Sequence, residues 1–166
     1  MNPVLFPPTA ALLLALASGA ILLSVLALQY LGDLPPCPLC VWQRWPYVGV
    51  AALGLLGWRW QPRILLALAA LALLVGAGLG VYHLGVEEGW WALPAGCAAG
   101  ASAQSVEDLR RLLAEAPPAC DQVSFTILGL SLAGWNVVAS LALAAYAIAA
   151  ALGLGRDQSG SSVDHH

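Results

Sequence analysis

The run from Ala10 to Leu28 contains nothing more polar than Ser18 and Ser24. At 1.5 Å per helical residue it reaches about 29 Å, close to the thickness of a bilayer's hydrocarbon layer. In lipid every backbone N–H and C=O must be satisfied within the protein, so such a run is limited to a helix. A cleaved signal peptide is the competing reading, and "ALASGA" offers small residues for cleavage. No Lys or Arg precedes the run, however, and it continues past that point, which favours a span.

Three further apolar segments follow, giving an expected all-α membrane protein built as a four-helix transmembrane bundle. The spans are placed at about 10–28, 43–58, 64–84 and 125–150 of a single domain over residues 1–154, with connections at about 29–42 and 85–124. The second is short, and Pro46 either opens its first turn or leaves a carbonyl unpaired. The third carries Gly76 and Gly80, spaced for close helix approach. The fourth carries Asn136, an amide expected to face another helix. Only 9% of the chain is charged and 60% is apolar, against about 25% charged in soluble domains. No basic tract suits nucleic acid. The tail "GRDQSGSSVDHH" reads as a polar end with a tag remnant, and His165 and His166 are left out of any site.

Four spans put both termini on one side and both long connections on the other. Arg59, Arg63 and Arg156 fall with the termini, while Arg44, Arg110 and Arg111 fall with the connections. Density near the span ends favours the Arg59/Arg63 side as cytoplasmic. Cys37, Cys40, Cys97 and Cys120 all lie on the opposite side, where disulfides persist. In the second connection, "SVEDLRRLLAEA" has Ser105 as an N-cap, and Val106, Leu109, Leu112 and Leu113 recur at helical spacing. It reads as a short amphipathic helix, lying on the membrane or packed on the loop. Trp90 and Trp91 suit the headgroup level.

The stretch "CPLC" can close the small disulfide of a thiol-exchange site. Its attacking species is the thiolate, stabilised by positive charge and by helix N-termini. Cys40 is expected where the second helix begins, with Arg44 four residues on and able to share its face. Cys97 and Cys120 bracket the amphipathic segment, either as a structural staple or as a pair open to another protein's thiol. Together the pairs allow an electron relay from a soluble dithiol, through the loop pair, to the membrane-rim pair. Neither a dinucleotide fingerprint nor a haem-attachment Cys-x-x-Cys-His is present, so a quinone dissolved in the bilayer is the expected acceptor, as a hypothesis. Four cysteines also permit a zinc site, but Cys97 and Cys120 are too widely spaced for the usual paired pattern, and no metal site is assigned.

The ordered set "CPLCVWQR", "YHLGVEEGWW", the loop pair and "CDQVSFTILGLSLAGWN" resembles the DsbB family, the bacterial disulfide bond formation protein B of the inner membrane. The resemblance covers nearly all of residues 10–154. It implies reoxidation of a periplasmic DsbA-like thioredoxin-fold dithiol oxidase, with electrons passed to ubiquinone or menaquinone. By position, Cys97 corresponds to the cysteine attacked by the partner. Cys120 corresponds to its resolving mate, which pairs transiently with Cys37, and Cys40 to the thiolate facing the quinone. Arg44 matches a quinone-proximal arginine, and His83 either falls near a histidine that some members place by the quinone or is a buried helix-end histidine with a satisfied hydrogen bond. Trp135 either packs and anchors at the interface or helps to form the quinone environment. Gln43 departs from the acid often found before the arginine. Two alternatives stay open: a quinone-coupled disulfide generator similar to vitamin K epoxide reductase homologues, in which the Cys-x-x-Cys comes late rather than early, and a non-enzymatic assembly protein with stapled loops.

Overall fold

The computed structural model describes residues 6–94, 97, 105–107, 110, 118–123 and 125–153. Most of the expected amphipathic helix, and the tail after residue 153, lie outside the described residues. Helix α1 spans Pro7–Tyr30, α2 Pro38–Trp42, α3 Arg44–Arg59, α4 Pro62–Glu87 and α5 Leu132–Leu152. Strands β1, Thr126–Ile127, and β2, Leu130–Ser131, form an antiparallel hairpin. The architecture is an all-α, multi-span bundle of four long helices.

Helices α1, α4 and α5 are each long and apolar enough to cross a membrane. Helix α3 has 16 residues, or about 24 Å, and falls short of the hydrocarbon thickness by itself. The break before it sits at Gln43, which ends α2 and precedes α3. Pro46 explains the position. It has no N–H for the Trp42 carbonyl, so the helix cannot run through with its ladder intact.

The fourth span starts later than the apolar run suggests, since residues 126–131 form the hairpin and the helix begins at Leu132. Leu128 and Gly129 both have positive φ, 53° and 80°, matching a two-residue turn whose twist suits paired strands. Ser131 then caps α5 by accepting a hydrogen bond from the Gly134 N–H. The cap competes with helix extension and wins at this point. Trp135 ties the two together, donating from its indole to the Ile127 carbonyl at 2.9 Å.

The bundle packs through small residues. Ala10, Ala11, Leu14, Val50, Leu66, Leu73 and Ala147 are almost fully buried in one cluster. A Cβ at Gly54 would stand 2.5 Å from the Ala11 carbonyl oxygen, and one at Gly80 would stand 2.8 Å from the Asn136 amide. Close backbone approach of this kind supplies helix association in lipid, where apolar burial drives little. Asn136 does face another helix, donating to the Gly76 carbonyl at 3.2 Å. Tyr47 and Ser140 share a 2.8 Å hydrogen bond between α3 and α5. The outward faces carry Leu16, Leu23, Leu55 and Leu71, each more than half exposed, as a lipid-facing surface requires. Trp58 and Trp60 mark one end of the bundle; Trp42, Trp45, Trp90 and Trp91 mark the other, and all six are well exposed. Two such bands fit two membrane–water interfaces.

Candidate functional site

All four cysteines gather at one end of the bundle. Cys37, Cys97, Cys120 and Val86 form one buried cluster, with Cys40, Leu39, Tyr82 and Leu93 packed against it. Cys97 and Cys120 are joined as a disulfide, while Cys37 and Cys40 are free thiols. The loop pair is not on an exposed surface in this state, with Cys97 4% and Cys120 0% exposed.

The free pair is organised by helix α2. Pro38 opens the helix, and Cys37 is its N-cap, with the Cys40 N–H donating to Cys37 Sγ at 3.2 Å. The helix therefore starts earlier than expected, and the backbone N–H groups favour an anion at Cys37 rather than at Cys40. The two sulfurs are 2.7 Å apart. The Cys40 S–H bond to Cys37 is the main reason the Cys37 thiol is held down to about 4, against the opposing effect of burial, with His83 assisting. The same bond, followed by burial, pushes Cys40 up. In this dithiol state the anion is favoured at Cys37 and the proton at Cys40.

His83, from α4, sits between the two pairs. Its Nε2 lies 3.6 Å from Cys37 Sγ and 3.2 Å from the Cys120 carbonyl oxygen. Its Nδ1 lies 2.6 Å from the side-chain amide of Gln43. Nε2 is also 3.8 Å from a carboxylate oxygen of Glu87, one turn further along the helix. The second Glu87 oxygen accepts from the Ser131 hydroxyl at 2.5 Å. Sequence reasoning passed over Glu87 and gave Gln43 no partner. The only available signal for Glu87 was its i+4 spacing from His83.

Arg44 follows a one-residue break in the helix and makes its hydrogen bond to another helix. The helix breaks between Cys40 and Arg44, and Arg44 Nη1 donates to Gln29 Oε1 of α1 at 2.8 Å. It still lines the same cavity as Cys40. That cavity is about 460 Å³ and is walled by Cys37, Cys40, Arg44, His83, Glu87 and Trp135 together with apolar side chains of α1 such as Ile21, Val25 and Leu28. A mostly apolar chamber with a few convergent polar groups is the usual form of a small-molecule site. It fits a flat apolar ring carrying oxygens at its edge, the chemistry of a quinone.

Cys37, Cys40 and His83 bring three donors within 4.8 Å.

A model of the family described as disulfide bond formation protein DsbB matches residues 7–150. The chain is 34% identical over 138 residues to disulfide bond formation protein B of Alkalilimnicola ehrlichii, covering 78% of this chain and 84% of that one. The protein of the same name from Dechloromonas aromatica is 33% identical over 135 residues, covering 74% and 79%. The Herminiimonas arsenicoxydans protein is 40% identical over 89 residues, about half of each chain. No solved structure matches the chain significantly. A match that runs across all four long helices and both cysteine pairs shows that the chain belongs to the DsbB family of disulfide bond formation proteins.

Proposed function

We propose that Cys40 is the sulfur that delivers electrons to a quinone in the 460 Å³ cavity, and that Cys97 is the sulfur a partner attacks. Family membership and the two cysteine pairs make the chain a disulfide oxidoreductase of the inner membrane, one that reoxidises a periplasmic DsbA-like protein and passes the electrons to a membrane quinone. The residue roles, the identity of the quinone as ubiquinone or menaquinone, and the topology with cytoplasmic termini and periplasmic cysteine connections belong to the proposal.

In this reading the partner's thiolate attacks Cys97 and Cys120 leaves. Both sulfurs are buried, so the partner has to displace what covers Cys97 in order to reach it. The Cys120 thiolate then attacks Cys37, its neighbour in the cluster, breaking an oxidised Cys37–Cys40 bond. Once Cys37 is tied to Cys120, the hydrogen bond that raises Cys40 is gone, and the negative charge moves to the sulfur that lines the cavity. The observed state, with a rim dithiol and a loop disulfide, has both electrons at the rim pair. When bound, the quinone supplies an acceptor for two electrons and two protons. Arg44, anchored through Gln29, and His83 are the polar groups for its oxygens, and Trp135 supplies an aromatic wall.

The observation that carries this reading is that one sulfur pair both packs against the second pair and opens on an apolar chamber. Purified protein in detergent, given a reduced DsbA-like dithiol protein, should reduce added quinone, and Cys40→Ser should abolish turnover. Full turnover by Cys40→Ser would refute the assignment.

A further inference from the structure

Oxidation of the rim dithiol has to dispose of two protons as well as two electrons, and the hydrogen bonds around Cys37 leave one of those protons without an obvious route. In the dithiol state one proton stays on Cys40. The other is given up at Cys37, whose sulfur accepts from the Cys40 N–H at the start of α2, and Nε2 of His83 lies 3.6 Å from that sulfur. That nitrogen faces three acceptors: the Cys37 sulfur, the Cys120 carbonyl and the Glu87 carboxylate. It carries a hydrogen while the ring is charged, and it is the nitrogen that gains and loses the proton. With the Gln43 amide turned so that its oxygen accepts from Nδ1–H, the Nδ1 hydrogen stays in place in both charge states and the proton exchanged is the one on Nε2.

Glu87 is the unexplained member of this group. Its side chain is only 6% exposed, yet its contacts are the His83 imidazole and the Ser131 hydroxyl, with no Arg among them. An imidazole and a hydroxyl compensate a buried carboxylate less than a guanidinium would. Glu87 also lines the cavity, which the proton must enter. We infer that Glu87 is the carboxylate that takes the proton held at His83 Nε2 and releases it into the acceptor cavity.

The step balances. The Cys37 thiolate, the Cys40 thiol and the protonated His83 together hold two protons and the electron pair. Forming the Cys37–Cys40 bond breaks the Cys40 S–H bond and yields two electrons. The Cys40 proton and the His83 proton, the latter by way of Glu87, complete the reduction of a quinone to a quinol, and His83 ends neutral. The inference rests on the quinone reading above. The ionisable side chains lining the cavity are Cys37, Cys40, Arg44, Tyr47, His83 and Glu87; Glu87 faces His83 on its own helix and Ser131 on α5.

The test compares wild type with Glu87→Gln, which still accepts from Ser131 but cannot carry a proton, and with Glu87→Asp. Thermal unfolding in detergent shows whether each is folded; if the glutamine variant is not, Ser131→Ala with Glu87→Asp takes its place, separating the hydroxyl clamp from the acid. Quinone reduction by Glu87→Gln should fall by about a hundredfold and its pH profile should flatten, while thiol exchange with the partner stays at the wild-type rate and the aspartate restores part of the activity. A second readout needs no quinone. Chemical oxidation of the rim dithiol should produce a protonated-carboxyl infrared band in wild type that is missing from Glu87→Gln. Wild-type quinone rates in Glu87→Gln would overturn the inference. So would slow turnover with no carboxyl band, since Glu87 would then be a clamp on Ser131. If wild type itself fails to reduce quinone, the reading of the acceptor fails, and the infrared band alone decides the role of Glu87.

Discussion

Gln43 and His83, 40 residues apart in sequence, meet at 2.6 Å across the junction of α2 and α3 with α4. Both are buried, at 7% and 3% exposure. The bond fixes the imidazole so that Nε2, rather than Nδ1, faces the sulfur pair. Gln43→Leu should therefore destabilise the protein by about 1–3 kcal/mol, the cost of an unsatisfied buried polar group, read from the unfolding midpoint in detergent. Gln43→Glu should keep the stability, because a carboxylate accepts from Nδ1–H. Equal loss in both variants would show that the bond contributes only packing.

Of the rim pair, Cys37 should be the cysteine alkylated by a small reagent entering through the cavity, which it lines although only 5% exposed. Its thiol is held at about 4 rather than the ordinary 9.0, so it is anionic above that value and protonated below it. Alkylation should vary little from about pH 8 to pH 5 and collapse as the pH falls through about 4, with the site read by mass spectrometry. The sign for folding follows: the anion's stabilisation is complete above about pH 9 and is lost as the pH falls through about 4. Cys40→Ser keeps the backbone donor but replaces the S–H bond that contributes most, and should move the alkylation profile upward. Preferential modification of Cys40 in wild type would contradict the N-cap assignment.

Arg44 is tied to Gln29 rather than to a sulfur, and this separates two roles. Arg44→Ala should raise the KM for quinone by about tenfold, equivalent to about 1.4 kcal/mol, and leave the Cys37 alkylation profile unchanged. Gln29→Ala should reproduce part of the KM effect, because the guanidinium loses its anchor. A shifted alkylation profile in Arg44→Ala would instead place its charge beside the thiolate.

Gly54 should tolerate no side chain. Its Cβ would fall 2.5 Å from the Ala11 carbonyl and 2.9 Å from the Ala15 methyl, so Gly54→Ala has to push α1 and α3 apart, at a cost of about 1–3 kcal/mol. Gly49, on the same helix, has nothing within 4 Å of that position, and Gly49→Ala should be neutral or slightly stabilising. Equal melting temperatures for the two variants would show that the α1–α3 contact is looser than described.

Hydropathy and spacing were enough to place four helices, to put Asn136 against a neighbour, and to bring Cys37, Cys40, Cys97 and Cys120 to one end. These are consequences of lipid thickness and helical rise, which act on each segment alone. Local chemistry went wrong where two signals competed. Ser131 and the Leu128–Gly129 turn stopped a helix that apolarity would have continued, and Pro46 divided the second span's helix at Gln43. Packing alone decided that Cys37 caps α2 beside the loop disulfide, that His83 joins both pairs, and that Glu87 is buried against Ser131. Each of those contacts links residues more than 35 positions apart or depends on where a helix starts. They exist because Gly54, Gly76 and Gly80 let the helices approach closely enough for a few polar groups to find one another in a medium that offers no water in their place.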